Sequence, residues 1–196
     1  MTKTLSSFLV ARSQLLTAID LFFSDSDPIS VHTLAGAARE ILEGLCRLEG
    51  VEPMTDFILK DHPTKSRKDI WNAMNLYRNC FKHLGETPAK RAEDDAILAQ
   101  FTDTINEFVL YVCVEDYVRY RHAMPVKCQV LQAWFAALHL DLLLDGSSSV
   151  TFEQAFPSLA QLSRLDQKRR GREMNELMAD DRELLADPRT EPLSLT

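Results

Sequence analysis

The sequence predicts an all-α protein, a single-domain helical bundle of about six or seven helices with antiparallel packing. Three observations carry that expectation. Apolar residues recur three and four apart through most of the 196 residues. Few stretches alternate apolar with polar, as half-buried strands would. Only 6 Gly and 8 Pro interrupt the chain, so long helices are possible. The bundle is expected over residues 1–187, with 188–196 a loose, flexible tail.

The elements follow in order. Leu5, Phe8, Leu9, Leu15, Leu16, Ile19, Phe22 and Phe23 mark a first helix from about Thr4 to Phe23. Ser24 to Asp27 has turn chemistry. Asp27 is placed to cap a second helix whose first residue is Pro28. That helix carries Val31, Leu34, Ala38, Ile41, Leu42, Leu45 and Leu48 and stops at Gly50. Ala35, Gly36, Ala37 and Ala38 give it a thin waist, open to close approach by another helix. Arg39 and Glu40 are expected to face solvent, and His32 to make a structural hydrogen bond. Pro53 to Lys60 reads as a short helix and Asp61 to Ser66 as a loop. Ser66 and Asp69 suit a cap for a central helix ending at Gly85, a glycine expected in the left-handed conformation.

A long helix is expected from about Arg91 to His122, apolar through Ile97, Phe101, Ile105, Phe108, Val109, Val112 and Tyr117. Its end gathers Tyr117, Arg119, Tyr120, Arg121 and His122, a cluster suited either to stacking bases or to an ordinary interface. Pro125 starts another helix, apolar nearly all round with Leu140, Leu143 and Leu144, which Gly146 ends. Ser147 to Ser149 read as a loop. Thr151 with Gln154 and Ser158 with Gln161 look like capping boxes. The last helix carries Lys168, Arg169 and Arg170 as a solvated face, followed by acids.

Net charge is -7. That balance argues against a general nucleic-acid coat but leaves room for a small basic pocket on one phosphate. Cys46, Cys80, Cys113 and Cys128 lie apart inside helical patterns, as buried thiols of a reducing cytosol would. No run is long enough to span a bilayer, and the single Lys3 before spaced apolar positions makes no secretory signal. The expectation is a cytoplasmic protein without membrane contact. No Gly-rich phosphate loop, dinucleotide fingerprint, nucleophile elbow or zinc spacing occurs, so neither a cofactor nor a metal is expected.

Candidate chemistry concentrates between Asn72 and Gly85. On a wheel of about 100° per residue, Ile70, Ala73, Met74, Tyr77, Cys80, Phe81 and Leu84 share one face. Asn72, Asn75, Asn79, Lys82 and His83 share the other. A face rich in amides is unusual for a merely solvated helix. Arg78 and His83 lie roughly 140° apart, yet a long Arg stem and a His at the helix end can reach one ligand. The guanidinium suits phosphate oxygens and the imidazole exchanges a proton near neutral pH. The plain alternative is surface pairing of Arg78 and Lys82 with acids of the long helix, with His83 as a cap.

Arg78-Asn79-Cys80-Phe81-Lys82-His83 resembles the signature of the HEPN superfamily, an Arg, usually a polar residue, then a His four to six residues after the Arg. The resemblance implies a small helical bundle whose motif helix lines a dimer cleft. Many members are metal-independent ribonucleases of toxin-antitoxin, phage-defence or RNA-processing systems, and others bind nucleotides or proteins without catalysis. It implies Arg78 and His83 as the catalytic pair, with Asn79 supporting; Lys82 and Asn75, on the same polar face as His83, are the expected substrate-binding residues. Asp27-Pro28-Ile29-Ser30-Val31-His32, together with Tyr77 to His83, also resembles a group of uncharacterised bacterial helical proteins.

Three functions follow. A ribonuclease would use His83 for proton transfer and Arg78 with Lys82 for the phosphate, with the neighbouring 2′-hydroxyl as nucleophile. A non-catalytic dimer would hold a nucleotide or a partner protein, with an antitoxin-like protein among the expected partners, beside RNA for the enzyme. A purely structural cluster would brace the acidic helix. A homodimer is expected through Trp71, Leu76 and the apolar helix after Pro125. The enzyme reading requires the guanidinium and imidazole to meet over one anion-sized hollow.

Overall fold

A computed structural model describes residues 4–140 and 146–192. Its described residues form ten helices and one two-residue parallel ladder. The all-α expectation holds. α1 (Ser7–Phe23) is capped by Ser6, which accepts from Leu9 N at 3.2 Å. α2 (Pro28–Leu48) begins where Asp27 accepts from Ile29 N and Ser30 N, with Pro28 in the first turn. The turn from Ser24 to Asp27 folds α2 back along α1. α3 (Met54–Asp61) and α4 (Arg67–Lys82) follow. Ser66 and Asp69 form the reciprocal capping box expected for α4.

The long helix expected after Arg91 is two helices, α5 (Pro88–Leu98) and α6 (Thr104–Arg121). The break turns Phe101 into a ring cluster, 5.4 Å from His32 and 5.0 Å from Phe81 between centroids. It also aims Asp103 at Arg164 and Lys168. Phe108 is correspondingly half-exposed instead of core. α7 (Val126–Leu138) crosses α6. Ser147 to Ser149, expected as a loop, lie within α8 (Gly146–Ala155), so Gly146 starts a helix and Thr151 is not a cap. Leu143 and Leu144 fall outside the described residues. Ser158 sits at φ 52° and makes no side-chain cap. α9 (Arg164–Met178) and α10 (Arg182–Ala186) complete the helices.

The core is built by α1, α2, α6 and α7. Leu15, Ile19, Phe22, Leu42, Leu131 and Trp134 are fully buried in one cluster. Each large apolar side chain of this kind stabilises the fold by roughly 2–3 kcal/mol on burial. Trp134 also donates its indole N–H to Gln167 O at 2.8 Å, which ties α9 to the core. The thin waist of α2 is used as expected, since Ala35 O accepts from the Cys113 thiol of α6 at 3.2 Å. Cys46, Cys113 and Cys128 are buried and unbridged, and burial pushes the Cys128 thiol up to about 12.

Several charged groups are buried contrary to the sequence pattern. Lys168, expected in solvent, is 2% exposed and donates to Asp25 at 2.7 Å and Asp103 at 2.8 Å. Arg39 is fully buried. The tail is docked as far as Pro192. β1 (Met124–Pro125) pairs with β2 (Thr190–Glu191), Met124 against Thr190 and Pro125 against Glu191. Glu191 is buried, accepts from the Tyr117 hydroxyl and from Arg121 Nε at 2.8 Å, and lies 3.8 Å from Arg12 Nε. The aromatic-basic cluster at the end of α6 is therefore largely spent within the chain. Arg119 lies over Phe57 and Arg121 over Phe8, 4.1 and 4.9 Å from the ring centroids.

Asp116 of α6 is fully buried and accepts from Met54 N, the first amide of α3, at 2.6 Å. Its second oxygen has no partner. Burial outweighs that hydrogen bond and pushes the carboxyl up to about 7. The folded state thus holds a proton that the unfolded chain releases in the ordinary carboxylate range. The resulting stabilisation is complete below that range and is lost as pH rises to about 7. Asp116→Asn should remove a fall in unfolding free energy of roughly 1 kcal/mol per pH unit across this window, measured by denaturant titration at pH 5 and pH 8. A second expectation concerns Gly171, where an added Cβ would lie 2.1 Å from the Phe23 ring. Gly171→Ala should cost about 1–3 kcal/mol in the same assay.

Candidate ligand hollow beside α4

α4 is docked to α2 by a polar link. Asn75 is fully buried. Its side-chain oxygen accepts from Arg39 Nη2 at 2.9 Å and from Arg78 Nη1 at 3.4 Å. Its amide nitrogen donates to Trp71 O at 2.9 Å. Arg39 also donates to Glu43 at 2.9 Å. Asn75 therefore belongs to the packed side of α4, and its polar groups are committed to the chain and not turned to a substrate. Sequence reasoning placed it with the outward amides because its wheel angle, about 140° from Ile70, falls well inside the polar face; the contact with Arg39 that turns it inward comes from α2.

Arg78 lies on the same packed side. It pairs with Glu40 of α2, its side chain is 16% exposed, and its stem rests on Gly36. A Cβ at Gly36 would lie 2.8 Å from Arg78 Cδ, so the glycine makes the close approach possible. The waist of α2 thus admits an arginine stem as well as α6. Arg39 and Glu40, expected in solvent, are the α2 residues whose polar groups hold Asn75 and Arg78 of α4. The acids of the former long helix take no part in holding Arg78.

His32 completes this face from below. Its Nδ1 is 2.9 Å from Asn106 Oδ1, and Asn106 Nδ2 donates to Pro28 O at 2.9 Å. Tyr77, Phe81 and Phe101 present edges or faces to its ring. Burial lowers the imidazole pKa, so the ring is neutral around pH 7. The structural reading of His32 holds.

The other side of α4 faces α5 across a hollow of about 840 Å³. α4 ends at Lys82, with His83 extended at φ -124° and ψ 131°. Gly85 is not left-handed. It permits the turn to pass close to α5, because a Cβ there would lie 2.8 Å from Arg91 N. α5 starts with Thr87 accepting from Lys90 N at 3.1 Å. Asn72, Asn79, Lys82 and His83 line the hollow from α4, and Thr87, Lys90 and Asp94 from the facing wall. Lys90 is paired with Asp94 at 3.1 Å. Among the described residues, the side chains of Asn79, Lys82 and His83 have no hydrogen-bond or ion-pair partner, and all three are exposed. Leu76, Leu84 and Ile97 supply apolar wall.

The structure brings Asn79, Lys82 and His83 together and leaves Arg78 and Asn75 outside. Arg78 lines a second hollow of about 300 Å³ with Thr33, Ala37, Phe81 and Lys82, between α2 and α4. The guanidinium and the imidazole do not meet over one hollow. The physical reason is the 140° between them, which the Arg stem does not span once it is seated on Gly36 and held by Glu40. Lys82 lines both hollows. No group of three or more metal-ligating side chains occurs among the described residues. No helix there is long and apolar enough to cross a membrane.

No family model matches the chain, and no curated protein or solved structure matches it significantly.

The two classes of residue should separate in stability. Arg78→Ala removes a half-buried ion pair and the stem packed on Gly36, and should cost about 1–3 kcal/mol. Lys82→Ala and His83→Ala should stay within about 0.5 kcal/mol of the parent in denaturant unfolding.

Proposed function

We propose that this chain is a non-catalytic binding protein whose α4–α5 hollow takes a nucleotide-class ligand. One observation supports this above the others. An amide, an ammonium and an imidazole, all without partners among the described residues, line one hollow of ligand size, while Arg78 is held elsewhere by Glu40. Amides of Asn72 and Asn79 present the donor and acceptor pairs that read a base edge. Lys82 and His83 suit one phosphate. Leu76, Leu84 and Ile97 offer surface for the base. Glu86 and Asp94 offset the two lysines of the hollow, which favours a single phosphate group over a long polyanion.

In this reading the ligand needs no metal and no cofactor, and four unbridged thiols suit a reducing cytosol. Trp71, Leu76 and Leu84 are 49%, 41% and 79% exposed on and just past α4, and a second copy of the chain is proposed to cover them. A partner protein of antitoxin type would compete for the same face. Metal-independent ribonuclease activity is the second reading. It draws on His83 and Lys82 standing unpaired among the described residues, and it requires Arg78 to leave Glu40 and swing around α4.

Thermal-shift titration with adenosine and guanosine monophosphates tests the first reading. A rise in midpoint with wild type, lost in Lys82→Ala, is the expected outcome, with RNA left intact by wild type and His83→Ala alike. RNA cleavage in EDTA that disappears in His83→Ala would establish the nuclease instead. No shift with any nucleotide would remove the binding proposal.

A further inference from the structure

We infer that a second binding site, independent of α4, lies between α3, α6 and α7 and takes a planar aromatic molecule bearing a protonated amine. A hollow of about 310 Å³ opens there, at the lower end of the roughly 300–1,000 Å³ typical of small-molecule pockets. Its wall is aromatic. Tyr111 and Phe135 stack in parallel, 4.1 Å between centroids and 11° between planes. His139 continues the wall 4.4 Å from Phe135. Met54 and Ile58 of α3 face these rings, and Phe108 stands at the rim 40% exposed.

The wall is rigid for a reason that lies behind it. His139 Nε2 is 2.9 Å from Glu107, and Glu107 is paired with Arg164 of α9 at 2.5 Å. That chain fixes the imidazole, and the imidazole fixes Phe135. Tyr111 and His139 cover the two faces of Phe135, so the column presents ring edges opposite a sulfur and an aliphatic chain. A flat ring system inserted between them offers its face to those edges without ordering new side chains.

Charge at the mouth selects among such molecules. Asp61, the last residue of α3, is exposed and, among the described residues, has no ion pair. His62 beside it is also exposed. At the far end Glu107 and Asp103 share Arg164, and Lys168 joins Asp103, so those charges are paired among themselves. The unbalanced group facing the opening is therefore a carboxylate, which favours an ammonium and disfavours an anion on the ligand.

Tryptamine and indole-3-propionate share a ring system and differ in charge, so they serve as probes. Calorimetric titration should show saturable binding of tryptamine, at least about tenfold tighter than indole-3-propionate. Ile58→Trp fills the hollow from α3 and should abolish the binding. Phe108→Ser, at an exposed rim position, should weaken it and keeps the test valid if Ile58→Trp fails to fold. Asp61→Asn should reduce tryptamine affinity to near that of the acid. Absence of saturable binding at millimolar tryptamine, or affinity unchanged in Phe108→Ser, overturns the site. Equal affinity for the two probes, or no effect of Asp61→Asn, overturns the amine assignment.

Discussion

The buried contact of Arg39 with Asn75 is the constraint around which the functional half of this molecule is arranged. A guanidinium with no exposed surface must find acceptors, because an unpaired buried charge costs several kcal/mol. Glu43 of its own helix accepts from Nη1 and Asn75 of α4 from Nη2, while Nε has no partner among the described residues. The need to satisfy Arg39 fixes the rotation of α4 about its axis. Once that rotation is set, Arg78 meets Glu40 and Gly36, Tyr77 and Phe81 meet His32, and Asn79 and His83 point the other way. The hollow beside α5 is a by-product of a pairing made on the opposite side of the same helix.

Ion pairs between distant segments serve the remainder of the fold. Lys168 of α9 joins Asp25 and Asp103, which belong to two separate turns. Glu191 joins β2 to α1 through Arg12 and to α6 through Tyr117 and Arg121. Replacing such pairs with apolar side chains is often neutral, but removing a single partner strands a buried charge. These groups act as fasteners of register and order, whereas Trp134, Phe22 and the leucines around them supply the driving force of burial.

The helical class, the first two helices, the cap of α4 and the structural role of His32 were legible from spacing and capping residues. The break between α5 and α6 was not. Ile97, Phe101 and Ile105 keep helical spacing straight across it, and only Thr102-Asp103-Thr104 hints at a cap. Arg39 and Lys168 were placed in solvent because charge is usually exposed, and nothing local in the sequence announces their buried partners. At the candidate site, Asn79, Lys82 and His83 were grouped correctly by wheel angle. Arg78 was not, because its angle lies at the border, and Asn75 was not, because its angle falls inside the polar face while the contacts that bury both come from α2. The docked segment before Pro192 has neither length nor periodicity to signal it.

Lys82 stands on the ridge between the α4–α5 hollow and the groove shared by Arg78 and Thr33. One ammonium cannot neutralise anions on both flanks at once. Whatever draws the amine to one flank strips positive charge from the other. Antagonism between two sites would then arise from the reach of a single flexible side chain, with every helix standing still.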